Sequence, residues 1–247
     1  MSVNETRFLR QLDIVSPEQL SFPIVVIGAG AIGSATVVTL AKMGCSDITV
    51  WDDDILQEYN IPNQLCKPSM VGWPKVDALR ELTLELTEVA VKAENRQYRG
   101  QKLRGVVIAA VDSMDARLTV WKRVKLDPDV PLLIDARMGA EFARIYTVHP
   151  CNADEVDFYE QNLYDSSEAE RLPCSARSII YCPTIVAGSI VLLIKRYAAN
   201  ENLVGEILLE LPSLTLFSHR ASPMGRVNSG TERHGLSAAQ RTETWGR

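Results

Sequence analysis

A glycine-rich turn is the part of this sequence whose residue types and spacing best suit chemistry. It follows the apolar run at residues 24–27 and places glycines in a G-x-G-x-x-G pattern at Gly28, Gly30 and Gly33. The first glycine permits a tight turn, the second lets a phosphate approach bare backbone, and the third lets the next helix pack close to the strand. The N-terminus of that helix then presents free N–H groups to the anion. The pattern predicts a binding site for the phosphates of a nucleotide.

Two charged residues further along the chain refine this prediction. Asp52 ends the second predicted strand about 20 residues after the turn, the distance at which a carboxylate accepts hydrogen bonds from a ribose. Lys75 follows Pro74 in the first turn of a predicted helix, where the helix dipole opposes a cation by about 0.3–1 kcal/mol. A cation in that position indicates a nearby anion, such as a triphosphate. The alternatives are a solvated strand-end carboxylate and a surface lysine.

These residues belong to an ordered set of motifs that resembles the ThiF/MoeB/HesA family, relatives of the ubiquitin-activating enzymes. The set comprises an arginine-glutamine pair near the N-terminus, an Asp-x-Asp motif, a polar loop, a Val-Gly-x-Pro-Lys turn and a later aspartate: Arg10, Gln11, Asp52, Asp54, Asn60, Gln64, Val71, Gly72, Pro74, Lys75 and Asp112. The resemblance covers roughly residues 5–195, and several motifs in order are far more specific than a glycine turn alone.

The resemblance implies an ATP- and Mg²⁺-dependent adenylyltransferase that activates the C-terminal carboxylate of a small ubiquitin-like or sulfur-carrier protein. By this resemblance Asp52 would hold the ribose, Lys75 would contact phosphate, Arg10 would reach the leaving phosphates and Asp112 would hold magnesium. The remaining nucleotide-binding residues would be Gly28, Gly30, Gly33, Asp54, Asn60 and Gln64. In the family the equivalent of Arg10 can come from the other subunit of a dimer, so a homodimer is also implied.

Other interpretations of three of these residues stay open. Asp112 could be the N-cap of the following helix, with Asp115 three residues on as a weak capping-box partner. Arg10 could be a solvated residue on an N-terminal helix. Asn60 could cap a turn rather than order the nucleotide.

The chain departs from the family pattern in two respects. Asn63 stands where the family usually has an arginine before the glutamine matched to Gln64, which removes a cation next to the expected triphosphate. The two Cys-x-x-Cys pairs of the family's frequent zinc site are absent, so we predict no structural zinc. Cys174 lies where thioester-forming or persulfide-forming relatives carry a cysteine, and Arg177 nearby could lower the pKa of its thiol. Alternatively, Cys174 fills a buried position.

Two other functions compete with adenylation. Asn63 and the missing zinc cysteines would suit a nucleotide-binding scaffold that has lost catalysis. The glycine turn and Asp52 would also suit an NAD-dependent oxidoreductase, although the chain after residue 150 offers no recognisable acid or base for hydride transfer.

Composition narrows the class of protein. The 247 residues carry a formal net charge of −5, which gives no general reason to expect nucleic acid or an anionic membrane as a partner. Five cysteines without framework spacing and an N-terminus unlike a signal peptide predict a reducing cytoplasm. The longest mostly apolar run, residues 185–194, is too short to span a bilayer and predicts a buried helix.

Alternating apolar strands and helices predict an α/β fold with a doubly wound, mainly parallel, Rossmann-like sheet. We predict one domain over residues 1–217, a polar loop over 150–182 and a disordered tail over 218–247. The predicted strands are 24–27, 48–52, 89–93, 106–111, 132–135, 143–148 and a final pair within 207–217. The predicted helices are a short N-terminal one, 32–43, 74–86, one opening at Ser113, and 183–199. In such sheets ligands sit outside the carboxyl ends of the strands, where the glycine turn, Asp52 and Asp112 would converge.

Overall fold

The computed structural model describes residues 6–164 and 179–219, which form an α/β fold around one eight-stranded sheet. The strand order is β3-β2-β1-β4-β5-β6-β7-β8. The first five strands in this order are parallel and the last three are added antiparallel. The strands are β1 Ile24–Ile27, β2 Ile48–Trp51, β3 Lys92–Glu94, β4 Val106–Ala109, β5 Leu133–Gly139, β6 Phe142–Val148, β7 Glu206–Glu210 and β8 Thr215–His219. The predicted doubly wound, mainly parallel sheet is confirmed.

Helices cover both faces of the sheet. They are α1 Ala31–Met43, α2 Lys75–Thr87, α3 Met114–Val124, α4 Ala153–Glu160 and α5 Tyr181–Ala198, with short 3₁₀ turns at Pro17–Leu20, Glu58–Asn60 and Pro68–Met70. One hydrophobic core packs α1, α2 and α5 against one face, and a second core packs α3 and α4 against the other. Both cores are needed because the central parallel strands are apolar on both sides, as the fully buried β1 and β4 show.

The strand order places a topological switch point between β1 and β4. Ile27 at the end of β1 is level with Trp51 on one side and Ala109 on the other. From β1 the chain enters α1 on one face, whereas from β4 it enters α3 on the opposite face. The two loops therefore part and leave a crevice at the carboxyl edge, the usual ligand position in this fold.

Several predicted boundaries change in the structure. The third strand lies at 92–94 rather than 89–93, and β5 continues four residues beyond the predicted end at Asp135. That extension pairs with β6 down to Gly139 and Phe142, so a tight hairpin completes a strand that the apolar pattern alone left short. The final strand reaches His219, two residues beyond the predicted domain end, and residues 220–247 of the predicted tail lie outside the described residues.

The predicted loop over 150–182 is wrong at its start, because it contains α4. Asn152 caps this helix by accepting hydrogen bonds from the N–H groups of Asp154 and Glu155, and both of these acids lie in the first turn. Val156 and Tyr159 are buried in the second core. An asparagine followed by acidic residues and a buried pair three residues apart is a helix-start signal. Within residues 6–164 and 179–219, none of the helices combines the length and the apolar character that a bilayer span requires.

Candidate functional site

The glycine turn is shaped by contacts that leave no room for a side chain. Gly28 has φ +102°, and a Cβ there would lie 2.5 Å from the carbonyl oxygen of Ala110. A Cβ at Gly33 would collide with the carbonyl of Gly28, so α1 packs directly against the turn. At Gly30, by contrast, a Cβ would meet nothing within 4 Å. The turn is therefore packed tightly on its inner side and open at the residue that precedes α1, where a phosphate can approach the backbone.

Asp52 joins this turn to the end of β2. Its carboxylate is partly buried and accepts hydrogen bonds from the N–H groups of Ala29, at 2.7 Å, and Asp54, at 2.8 Å. Burial raises the pKa of Asp52, and these two hydrogen bonds oppose that rise. The carboxylate is thus built into the turn rather than merely solvated. Each oxygen keeps a further lone pair that can accept a hydrogen bond from a ribose hydroxyl.

Lys75 is the first residue of α2, as its sequence position indicated, but it is not a surface lysine. Its side chain is only 11% exposed and its Nζ lies 2.6 Å from the carboxylate of Asp54. The backbone N–H of Lys75 also donates to the carbonyl of Asp54 at 2.9 Å. The ion pair compensates a cation at the positive end of a helix. A phosphate that binds Lys75 must therefore compete with Asp54 or share the lysine with it.

The loop between β2 and α2 carries the other predicted nucleotide contacts. Asn60 is buried, and its Oδ1 accepts a hydrogen bond from the N–H of Gln57 at 2.9 Å, so it does cap a turn. Gln64 is buried as well, and its N–H donates to the carbonyl of Asn60 at 2.9 Å. The Oδ1 of Asn63 is buried and has no hydrogen-bond partner among the described residues. The structure therefore shows structural contacts for Asn60, while nucleotide contacts of this loop stay a prediction.

Asp112 lies in the short connection between β4 and α3. It is exposed, and its carboxylate forms no hydrogen bond or ion pair within the described parts of the chain. The N-cap of α3 is Ser113, whose Oγ accepts a hydrogen bond from the N–H of Ala116 at 3.3 Å. The alternative interpretation of Asp112 as the N-cap is therefore wrong. A free, exposed carboxylate at the crevice suits a hard cation that keeps water and phosphate oxygens as its other ligands.

Arg10 is placed far from the glycine turn of its own chain. The segment that carries it docks at the C-terminal end of α1, where the Nε2 of Gln11 donates to the carbonyl of Met43 at 2.7 Å and Phe8 packs beside Gly44. The 13 residues of α1 separate that end from the turn by about 20 Å, at 1.5 Å per residue. Arg10 itself is exposed. Within one chain this guanidinium is therefore too far from the crevice to contact a nucleotide bound there.

A buried cluster of charges, which was not predicted from the sequence, lies beside the Asp112 loop. Asp135 is fully buried and accepts hydrogen bonds from the Nε of Arg117 at 2.6 Å, the Nε of Arg137 at 2.8 Å and the hydroxyl of Tyr159 at 2.9 Å. Burial raises the pKa of Asp135, but the two guanidinium groups outweigh burial and hold it below its ordinary value. An acid directly after the apolar run at residues 132–134 was the available signal.

The described parts of the chain give little support for a further metal site or for a catalytic thiol. There, the group of side chains close enough to share a metal is Asp52, Asp53 and Asp54, whose ligand atoms lie within 4.8 Å of one another. Exposed acids are often found together without an ion, so this proximity is not by itself a metal site. The prediction that zinc is absent stays a prediction. Cys174 lies outside the described residues, and its role as a nucleophile stays a prediction too.

Comparison with known proteins gives relatives that are named as an activating enzyme and as an adenylyltransferase and sulfurtransferase. Ubiquitin-like modifier-activating enzyme 5 of Drosophila willistoni is 26% identical over 145 residues, which are 58% of this chain and 34% of that protein. Adenylyltransferase and sulfurtransferase UBA4 of Yarrowia lipolytica is 35% identical over 86 residues, which are 35% of this chain and 20% of that protein. The matches thus span about a third or less of the length of these curated relatives.

The fold has solved counterparts. The crystal structure of E. coli MccB with ATP has a TM-score of 0.69 and 16% identity to this chain, and the match covers 89% of this chain and 73% of MccB. At that identity the likeness shows the fold alone. The family assignment comes from a separate comparison, in which the ThiF family model matches residues 16–218. Because this match covers the sheet, the glycine turn and the Asp112 loop, the chain belongs to the ThiF family.

Proposed function

We propose that this protein binds ATP with Mg²⁺ at the carboxyl edge of its sheet and transfers AMP to a carboxylate. The observation that carries the proposal is the strand register, which brings the glycine turn, Asp52 and the Asp112 loop together at the switch point. ThiF family membership supports adenylation at the family level. Further support comes from a relative named as an adenylyltransferase and from a fold neighbour crystallised with ATP. For the acceptor we propose the C-terminal carboxylate of a small ubiquitin-like or sulfur-carrier protein.

The residues divide the work of this reaction. An oxygen of the acceptor carboxylate attacks the α-phosphorus, the bond to the pyrophosphate oxygen breaks, and an acyl adenylate and pyrophosphate result. The open turn at Gly30 and the N-terminus of α1 would receive phosphate oxygens, and Asp52 would hold the ribose. Lys75 would neutralise phosphate charge once Asp54 releases or shares it. Asp112 would hold Mg²⁺, which when bound supplies positive charge to the leaving pyrophosphate.

We further propose that a second copy of the chain supplies Arg10. The segment around Arg10 exposes Leu9, Leu12 and Ile14 by 54%, 38% and 61%. An exposed apolar segment that carries a cation suits a contact between subunits. A mixing experiment tests this arrangement with Arg10→Ala and Lys75→Ala, each of which should be inactive alone. Because half of randomly paired dimers are mixed and contain one intact site, mixing should restore about a quarter of wild-type activity. No recovery would exclude donation between subunits.

Titration calorimetry tests the nucleotide site. ATP with Mg²⁺ should bind the wild type, and Asp112→Ala and Lys75→Ala should each weaken binding about tenfold or more, since each removes a charged contact. Lys92→Ala is the matched control, since Lys92 also forms a lysine-aspartate pair, with Asp47 at 2.7 Å, but on the edge strand. Saturable NAD binding with no response to ATP would refute the proposal and favour an NAD-dependent oxidoreductase.

Labelled pyrophosphate exchange into ATP tests the chemistry separately. Exchange should require a carrier protein with a free C-terminal carboxylate and should disappear when that carboxylate is amidated. A second candidate function, a nucleotide-binding scaffold without catalysis, is favoured by the neutral Asn63 in the loop. Tight ATP binding without exchange for any candidate acceptor would support the scaffold over the enzyme.

A further inference from the structure

The direction of the Asp112 carboxylate depends on backbone alone. Its side chain has no partner among the described residues, and it projects from the connection between Ala109, which ends β4, and Met114, which begins α3. A side chain that ligates a metal is normally oriented by hydrogen bonds from residues around it, and without them its direction is poorly defined. If Asp112 is to hold a cation, the carbonyl groups on either side of it must themselves be fixed.

The guanidinium of Arg117 contacts both of those carbonyl groups. Its Nη2 donates to the carbonyl of Val111 at 2.9 Å, and its Nη1 lies 3.4 Å from the carbonyl of Ser113. The same Nη2 also donates to the carbonyl of Ala136 on β5 at 3.2 Å. One planar guanidinium thus fastens the residue before Asp112, the residue after it and the neighbouring strand. The Arg117 side chain is 5% exposed, so the guanidinium itself is largely shielded from water.

Arg117 is in turn held in place by the buried cluster. Its Nε donates to Asp135 at 2.6 Å, and Asp135 is also bound by Arg137 and by the hydroxyl of Tyr159. Arg117 lies one turn into α3, close to the positive end of the helix, where a cation without a counterion is unfavourable. Asp135 supplies that counterion. All three guanidinium nitrogens of Arg117 therefore make contacts: Nε with Asp135, and Nη1 and Nη2 with the carbonyl groups of the Asp112 loop.

We propose that Arg117 is a positioning residue for the Mg²⁺–ATP complex, which acts by fastening the backbone on both sides of Asp112. This inference rests on the proposed ATP–Mg²⁺ site. A lysine could pair with Asp135 but could not span the carbonyls of Val111 and Ser113, because an ammonium group lacks the rigid fork. Loss of an outer partner at a metal site typically costs 10–100-fold in metal affinity. The expected effect of Arg117→Lys is therefore about tenfold on Mg²⁺ binding, with ATP binding in the absence of metal unchanged.

The test measures how much Mg²⁺ strengthens ATP binding, as the ratio of ATP affinities with Mg²⁺ and with EDTA. This ratio is determined for the wild type, Arg117→Lys, Asp112→Ala and the double variant. The matched control is Arg123→Lys on the same helix, because Arg123 also pairs with an acid, Asp127 at 2.7 Å, away from the Asp112 loop. The ratio should fall about tenfold in Arg117→Lys and stay at the wild-type value in Arg123→Lys. In the Asp112→Ala background, Arg117→Lys should have no further effect on the ratio.

A purely structural role for Arg117 predicts a different result. It would lower the melting temperature of Arg117→Lys but leave the ratio unchanged, or lower the ratio equally with and without Asp112, and either outcome overturns the inference. If Arg117→Lys does not fold, Arg117→Met serves in its place, because Arg137 remains as the counterion of Asp135. If Asp112→Ala leaves the wild-type ratio intact, both the proposed metal site and this inference are wrong. If Asp112→Ala lowers the ratio to about one but Arg117→Lys leaves it at the wild-type value, only the inference about Arg117 is wrong.

Discussion

The substitution Asp135→Asn tests the buried charge cluster most directly. Asp135 is fully buried and is the shared acceptor for Arg117, Arg137 and Tyr159. The side chains of Arg117 and Arg137 are only 5% and 10% exposed. Asparagine has nearly the same shape as aspartate but no charge. The substitution therefore leaves two buried guanidinium groups without their counterion while it disturbs packing little.

The expected magnitude follows from the burial of the partners. Removal of one member of a buried ion pair costs about 3–5 kcal/mol, because the remaining charge stays buried and uncompensated. The asparagine carbonyl still accepts one hydrogen bond, so we expect the lower end, about 3 kcal/mol. For a domain of this size each kcal/mol lowers the melting temperature by about 2–4 °C, which gives a decrease of about 6–12 °C.

Urea unfolding followed by circular dichroism, together with thermal melts, measures this loss. The control is Asp129→Asn, because Asp129 pairs with Lys102 at 2.7 Å on the surface, where solvent screens the interaction. The pKa of Asp135 is lowered from its ordinary value near 3.8. Its contribution is therefore complete above that value and is lost only as the pH falls through the depressed pKa. The difference between wild type and variant should stay constant from about pH 7 to about pH 5. A loss no larger than that of Asp129→Asn would refute the argument.

Three further predictions concern other parts of the chain. Gly28→Ala should destabilise the protein by about 2–4 kcal/mol in urea unfolding, because φ is +102° and the new Cβ would lie 2.5 Å from the carbonyl oxygen of Ala110; a change below about 0.5 kcal/mol would contradict this. His149→Gln should destabilise more at acidic than at alkaline pH. The hydrogen bond to Glu155 raises the pKa of His149 above its ordinary 6.5, so the contribution is complete below about 6.5 and is lost as the pH rises through the folded-state pKa. Since His149 is 43% exposed, the effect should stay below about 1 kcal/mol, and a loss that grows with pH in parallel melts would show the sign to be wrong. Burial raises the pKa of Cys45 to about 12, so this thiol should resist iodoacetamide at neutral pH until the protein is unfolded, as peptide mapping can check.

The layout of the sheet could be predicted where the sequence carries local signals. Strand β1, helix α1 and the glycine turn were found because an apolar run, a glycine pattern and the stop signal of Gly44 each follow from backbone geometry. The extension of β5 and its hairpin with β6 were not predicted, since the alternation of residues 136–138 is too short to indicate a strand and is completed only by pairing. The helix α4 was not predicted although Asn152 gave a capping signal, because this eight-residue segment is rich in acids and too short to show a clear helical period of apolar residues.

The site divides in the same way between local signals and packing. The sequence alone predicted a nucleotide site, because Gly28, Gly33 and Asp52 follow a spacing that is typical of phosphate and ribose binding. Tertiary structure alone decided that Lys75 is paired with Asp54 and that Arg10 lies at the far end of α1 from the turn. The ion pair and the position of Arg10 both depend on contacts between residues that are remote in the chain. A local sequence pattern therefore cannot predict them.

The Asp112 loop shows this division most clearly. Its position after an apolar strand could be predicted from the sequence, and so could the carboxylate that it carries. The support of that loop could not, because Arg117 and Asp135 are 18 residues apart and meet only when α3 packs against β5. A buried charge needs its partner at hydrogen-bond distance, so this pairing exists only in the folded sheet. The sequence by itself predicted which side chains could contact a nucleotide, and the tertiary structure decided which groups hold those side chains and their loops in place.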